Sequence, residues 1–259
     1  MKTLRMIGMV LMAVLMCVKF TSCNEEDDDF GKNPGAVYSG KKLMIINNIT
    51  LHYDEDNRLI RYDYHDGDYV IFEYGKGNVF MSCSWNHSGT KAVLDTQGMV
   101  TTTECWCMDD DYCDKSEHPH YKSDDDWDFV YDDNKHLIRV GDYCKLEWDA
   151  NGDLNKVIFF RTGKPMTFEY GSKPIENKMG FMLSYDAIWG LDLDSYDLFT
   201  IASLLGAGSK HLPISRSDGT TFEWELDVDG YPINLTINEG NESERVSFAW
   251  KAVSNILCK

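Results

Sequence analysis

Cys105, Cys107, Cys113, His118 and His120 lie within 16 residues, and thiolate with imidazole is the ligand set that zinc takes up tetrahedrally. Their spacing matches neither a finger nor a ribbon. The rival chemistry for the same thiols is oxidation. With Cys83, Cys144 and Cys258 they make six cysteines downstream of Cys23, and in an oxidising compartment such residues pair, in any of about 15 ways. Cys105 and Cys107 fall on one face of a strand, so each seeks a different partner, and at least one bridge is expected between Cys83 and Cys144. The loop from Glu104 to Asp128 holds ten acidic residues against Lys115 and Lys122. Its runs Asp109-Asp110-Asp111 and Asp124-Asp125-Asp126 repel one another unless solvated or cation-bound. Weak calcium binding by converging carboxylates is one expectation there; Asp109, Asp110, Asp111, His118 and His120 are candidate metal ligands with the metal left open, and no cofactor is identified.

Exposed tryptophan rings can stack on sugar faces, and Trp85, Trp106, Trp127 and Trp148 recur every 21 residues. Core packing accounts for most tryptophans. Trp106 and Trp127, in or beside the acidic loop, are the candidate ligand contacts. Signatures of catalysis are missing: there is no Gly-x-Ser-x-Gly elbow, no His-Glu-x-x-His and no phosphate-binding loop. A glycoside hydrolase needs two suitably placed carboxylates, and 43 acids supply abundance without placement.

The leader says where these residues work. Lys2 and Arg5 form a positive start, Met6 to Val18 is apolar, and small residues precede Cys23. This is the layout of a secretory signal, too short before Lys19 for the about 20 residues of a membrane span. Cys23 sits where a lipid-attached cysteine belongs, so residues 1–22 read as a lipoprotein signal peptide. Acyl chains on Cys23 then hold the protein to a bilayer. Residues 23–40, acidic and carrying Gly31, Pro34 and Gly35, read as a flexible tether. The acidic run from Glu25 to Asp29 resembles the surface-export signal of Bacteroidales-type outer-membrane lipoproteins, which implies outward display.

Without residues 1–22 the chain keeps 43 acids and 22 bases, a net charge of −21. Such a field repels phosphate backbones, so nucleic acid is excluded as a partner. Neutral glycans and other envelope proteins meet no such penalty.

Residues 41–259 read as a single antiparallel β domain. Aromatic and β-branched residues alternate with polar ones over Leu43 to Tyr53, Arg58 to His65, Tyr69 to Tyr74 and Asn78 to Ser84. The pattern returns over Asp128 to Tyr131, Leu137 to Val140, Tyr143 to Trp148, Leu154 to Phe160 and Met166 to Tyr170, and again over Phe222 to Val228, Tyr231 to Ile237 and Glu244 to Trp250. Period two marks half-buried strands, and the short Gly/Asp/Asn connectors between them favour hairpins. A degenerate repeat punctuates the hairpins: Tyr53-Asp54 to Leu59, Tyr131-Asp132 to Leu137, Trp148-Asp149 to Leu154 and Leu226-Asp227 to Pro232. An apolar residue precedes Asp, and Asn or Asp falls two positions later. A residue tolerant of positive φ usually follows, with Lys135 as the odd member. The carboxylates are turn formers. Asp149, Asn151 and Asp153 alternate as calcium ligands do, but Gly152 is misplaced for a calcium loop and the closing Glu is missing. One segment breaks the pattern. Asp194 or Ser195 caps a short helix whose Leu198, Ile201, Ala202 and Leu205 share a face, with Gly206 after its end; it packs on the sheet or plugs one end of it.

Together, Cys23, the Tyr-Asp turns, Phe168-Glu169-Tyr170-Gly171 through Gly180, Leu204-Leu205-Gly206, His211-Leu212-Pro213 and Glu225 to Pro232 resemble a family of Bacteroidales-type lipoproteins of unknown function with a porin-like fold. The resemblance implies an all-β, curved antiparallel meander, closing towards a barrel, and no known activity. Short strands and a lipid anchor argue against membrane spanning. The expected role is a non-enzymatic, outer-membrane-anchored binding module for a glycan or protein; a carbohydrate-active hydrolase and a purely structural envelope protein are the alternatives.

Overall fold

The computed structural model describes residues 40–84, 88–107, 127–181, 188 and 197–253. Seven strands come first: β1 (Lys41–Ile46), β2 (Ile49–Tyr53), β3 (Leu59–Asp63), β4 (Tyr69–Gly75), β5 (Asn78–Cys83), β6 (Ser88–Leu94) and β7 (Val100–Cys107). Six follow the acidic loop: β8 (Phe129–Tyr131), β9 (Leu137–Val140), β10 (Cys144–Trp148), β11 (Leu154–Phe159), β12 (Pro165–Glu169) and β13 (Ile175–Glu176). After the helix α1 (Asp197–Ile201) come β14 (His211–Leu212), β15 (Ser215–Arg216), β16 (Thr221–Leu226), β17 (Pro232–Glu239) and β18 (Glu242–Ala252).

Sixteen strands form one antiparallel sheet in the order β7 back to β1, then β18, β17, β16, β15, and β12 back to β8. Its two edges, β7 and β8, meet through a bridge between Thr102 and Asp128. The Thr103 amide also donates to the Trp127 carbonyl at 3.2 Å. The sheet is thus a nearly closed barrel, and β13 pairs with β14 apart from it. Sequence pattern reads Leu43 to Tyr53 as one run; Asn47, at φ 53°, turns the chain there and splits the run into β1 and β2, a conformation asparagine tolerates.

Inward positions are mostly apolar. Leu43, Leu51, Val70, Val79, Leu137, Leu154 and Val157 are fully buried, each worth about 1.5–3 kcal/mol of burial. The inside is filled by the excursion between β12 and β15, from which Phe181, Ile188, Leu198, Phe199 and Leu205 join the same core cluster. Phe199 meets Phe72 of the wall edge-to-face, ring centroids 6.4 Å apart. The expected helix face is the one buried, with Leu198, Ile201, Ala202 and Leu205 all at 8% exposure or less, so the helix plugs the barrel. It ends earlier than Gly206. Ser203 takes φ 57°, its amide bonds to the Thr200 carbonyl, and the Leu204 amide reaches back to Phe199 at 2.8 Å, which is a Schellman ending.

Candidate functional site

Alternate strand directions put the turns after β2, β6, β8, β10 and β16 at one rim. All five are built alike. Asp54, Asp95, Asp132, Asp149 and Asp227 each accept, on one carboxylate oxygen, the amides two and four residues ahead at 2.8–3.0 Å. The fourth residue has positive φ in every case: Asn57, Gly98, Lys135, Gly152 and Gly230. The strand register shifts by one residue just before each Asp. This is a type I turn with a bulge. The Asp95 turn is not among the four copies read from the sequence, because Gln97 stands where the others have the second Asp or Asn.

A second regularity joins neighbouring turns. The carbonyl five residues after each Asp accepts a hydrogen bond from an aromatic side chain of the next strand in the sheet: Tyr74 to Leu59, Tyr131 to Val100, Trp148 to Leu137, Tyr170 to Leu154 and Trp250 to Pro232, at 2.5–3.0 Å. Tyr131 and Trp148 themselves precede the next Asp. These two aromatic-Asp pairs therefore tie the Asp95, Asp132 and Asp149 turns into a series.

The plug's return arm straps three of these turns. Leu204 accepts from the Val100 amide at 2.9 Å, while Ala207 donates to Lys135 at 2.8 Å and Lys210 to Gly152 at 3.1 Å. Lys135 adopts φ 68° although it is no glycine, and its carbonyl is thereby aimed at the arm. Gly206, at φ 81°, passes so close that an added Cβ would clash with that carbonyl and stand 3.0 Å from the Tyr131 ring.

Between the Asp132 and Asp149 turns, above this arm, lies a groove of about 600 Å³ lined by Asp132, Asn134, His136, Asp149, Asn151 and Lys210 among others. Its volume falls within the about 300–1,000 Å³ of small-molecule sites. The His136 ring stacks on Trp148, centroids 4.2 Å apart and 12° from parallel, and its Nδ1 lies 3.1 Å from Asp132 Oδ2. Burial pushes the Asp132 carboxyl up, but the His136 amide and ring and the Asn134 amide outweigh it and hold the group below the usual carboxylate value. Asp149 is likewise lowered, burial being overcome by the amides of Asp153 and Asn151 and by the Asn151 side chain. A glycosidase acid needs a raised pKa. Two carboxylates both held ionised accept hydrogen bonds and do not deliver protons.

Beneath the groove, Asp153 is 3% exposed. Its Oδ1 lies 3.0 Å from Ser209 Oγ and 2.8 Å from the His211 amide, and its Oδ2 lies 2.7 Å from His211 Nδ1. The residue types are those of a hydrolytic triad, but the serine hydroxyl bonds to the carboxylate and not to the imidazole, and Ser209 is buried. A nucleophile needs the imidazole as its base. Here the carboxylate instead clamps the return arm to β11.

Of the residues singled out by sequence, Cys23, Cys113, Cys258, Asp109, Asp110, Asp111, His118 and His120 lie outside the described residues, as do the side chains of Cys105, Cys107 and Trp106. Cys83 and Cys144 are free thiols. Trp127 is half-buried and stacked on Tyr143 at 5.3 Å and 18°, one ring face already covered. Asp149 and Asp153, alternating as calcium ligands would, diverge: the first serves its own turn and the second points inward. No group of three candidate metal ligands converges among the described residues. The groove itself, with His136, Asn134 and Lys210, was not foreseen from sequence.

No family model and no curated protein matches the chain. Among solved structures, a porin-like protein from Bacteroides uniformis ATCC 8492 is similar with a TM-score of 0.61 at 15% identity, over 82% of this chain and 96% of that one. The fold is porin-like. A second porin-like protein, from Bacteroides vulgatus ATCC 8482, gives a TM-score of 0.49 at 13% identity, over 83% and 98% of the two chains. Within the porin-like fold this chain inverts the polarity of a membrane barrel. A spanning barrel shows lipid an apolar band and keeps a polar interior. Here the interior is apolar and packed, and the outer wall carries ion pairs such as Arg61–Asp63–His52, Lys145–Glu147–Lys156 and Arg245–Glu225.

Proposed function

We propose that the protein is a non-enzymatic binding module of the cell envelope, held to the outer membrane by acyl chains on Cys23 and displayed outward on its acidic tether. The packed lumen carries this reading. A barrel filled by its own chain conducts nothing, and a charged outer wall does not sit in lipid, where each Lys or Arg at the midplane costs about 2–4 kcal/mol. Membrane attachment then falls to a device outside the fold, and Cys23 with its leader has the sequence of one. What remains for the barrel is its surface, with a neutral glycan or another envelope protein as ligand.

Metabolic labelling with a palmitate analogue tests the anchor. The wild-type chain takes up label and fractionates with the outer membrane; the Cys23→Ser chain does neither and melts at an unchanged temperature. A wild-type chain without label ends the anchor reading. An array of neutral glycans probed with the detergent-solubilised full chain tests the binding role.

A further inference from the structure

We propose that the rim groove between the Asp132 and Asp149 turns is a binding site for a neutral carbohydrate, with His136 Nε2 as its central contact. This rests on the binding-module reading and assigns that module its site and ligand class. His136 is held at two points: Nδ1 faces Asp132 and one ring face lies on Trp148, which is itself pinned by its bond to the Leu137 carbonyl. Its Nε2 carries no hydrogen bond to the described residues. It faces the opposite wall, 3.7 Å from where a Cβ on Gly152 would stand. Glycine there keeps the groove open.

The other groups fit the same ligand. With Nδ1–H donated to Asp132, a neutral imidazole presents an acceptor at Nε2. The Lys210 ammonium, which makes no ion pair with the described residues, is a donor, and the exposed Asn134 side chain offers both functions. Asp132 and Asp149 are acceptors already oriented by their turns. A sugar hydroxyl both donates and accepts, so one ligand class answers the whole set. A phosphate or carboxylate ligand would meet two carboxylates against one lysine. An apolar ligand would strip water from charged groups without repaying them. Every contact group sits on a hydrogen-bonded turn or on the strapped arm, so little ordering entropy is lost on binding.

The test is an NMR titration of the full chain in detergent, following the His136 ring resonances. The probes are uncharged hexasaccharides of glucose, mannose and galactose, with a uronic-acid hexasaccharide and a lysine-rich peptide as contrasting arms. A neutral hexasaccharide is expected to move the His136 signals saturably, with affinity falling about fivefold or more in Asn134→Ala and again in Lys210→Ala, both on exposed side chains. Neutral-sugar binding that leaves His136 unmoved and survives both variants places the site elsewhere: it overturns this assignment and leaves the binding module standing. A shift with the peptide or the uronic hexasaccharide alone overturns the ligand class. No shift with any probe at millimolar concentration overturns the site, while the anchor is judged separately by palmitate labelling.

Discussion

The Tyr131 hydroxyl donates to the Val100 carbonyl at 2.8 Å, across the seam where β8 meets β7. Around most of the wall neighbouring strands share two or more paired residues; here, as between β15 and β16 with their one pair Ser215–Thr221, a single pairing and a few bonds complete the circle.

Removing that hydroxyl should therefore open the barrel at this seam first. Tyr131→Phe leaves the Val100 carbonyl without its donor and should cost about 1–3 kcal/mol, read as a lowered urea midpoint with unchanged slope. Hydrogen exchange should rise at Thr103, whose amide bonds to the Trp127 carbonyl across the seam, before it rises at β17 and β18. Uniform loss of protection would contradict a weak seam.

Gly206 and Lys135 should respond in opposite directions. Gly206→Ala places a Cβ against the Lys135 carbonyl at a φ of 81° and should lose more than about 1 kcal/mol, whereas Lys135→Gly relieves a left-handed side-chain residue and should gain up to about 1 kcal/mol. Thermal melts of the two variants decide both.

Acid should unfold the protein through its turns. Burial raises each of Asp132, Asp149 and Asp227, but amide donors at all three, the His136 ring at the first and Lys41 at the last bring them below the ordinary value. A carboxyl lowered by folding adds stability above its unfolded pKa, near 3.9, and loses it as pH falls through the folded pKa. The urea midpoint should hold level from about pH 7 to 5 and drop below about pH 4. Asp149→Asn should start lower at neutral pH and show a shallower acid limb; an unchanged limb would remove the turns from the account.

Thiol chemistry should report unfolding. Burial pushes the Cys144 thiol up to about 12 and raises Cys83 as well, and thiols react as thiolates. At pH 8 Cys144 should label with iodoacetamide only as fast as the barrel unfolds, and urea should accelerate it in step with the melt. Prompt labelling in buffer would mean that β10 opens locally.

Much of this architecture is legible in the sequence. The alternation over β4, β5, β9 and β11 gives strands within a residue of their bounds, and the Asp-based turns give the hairpins. The misses have separate causes. β6, reading Ser-Gly-Thr-Lys-Ala-Val-Leu, has little apolar alternation, so it and the Asp95 turn stay hidden. Lys135 looks wrong for its turn because its conformation serves Ala207, distant in sequence. Gly206 looks like a helix cap, yet a serine does that work and the glycine clears the strap. The groove is the least legible, since Asn134, Asn151 and Lys210 come from three segments that only the closed barrel brings together.

The two ends of the barrel differ in how much change they can absorb. A Cβ added at Gly40, Gly152, Gly206 or Gly230, at the rim with the Asp turns, would stand within 4 Å of a side chain or carbonyl, whereas at Gly67, Gly163, Gly219 and Gly240, in four hairpins of the other end, it would meet nothing that near. The first and last described residues also meet at the crowded rim, where the Val253 amide bonds to the Gly40 carbonyl at 2.9 Å. A peptide tag or fluorophore loop inserted at Gly163 or Gly240 would thus be carried on the far end of the barrel, clear of Gly40, Val253 and the groove, giving a labelled protein that still presents its working rim.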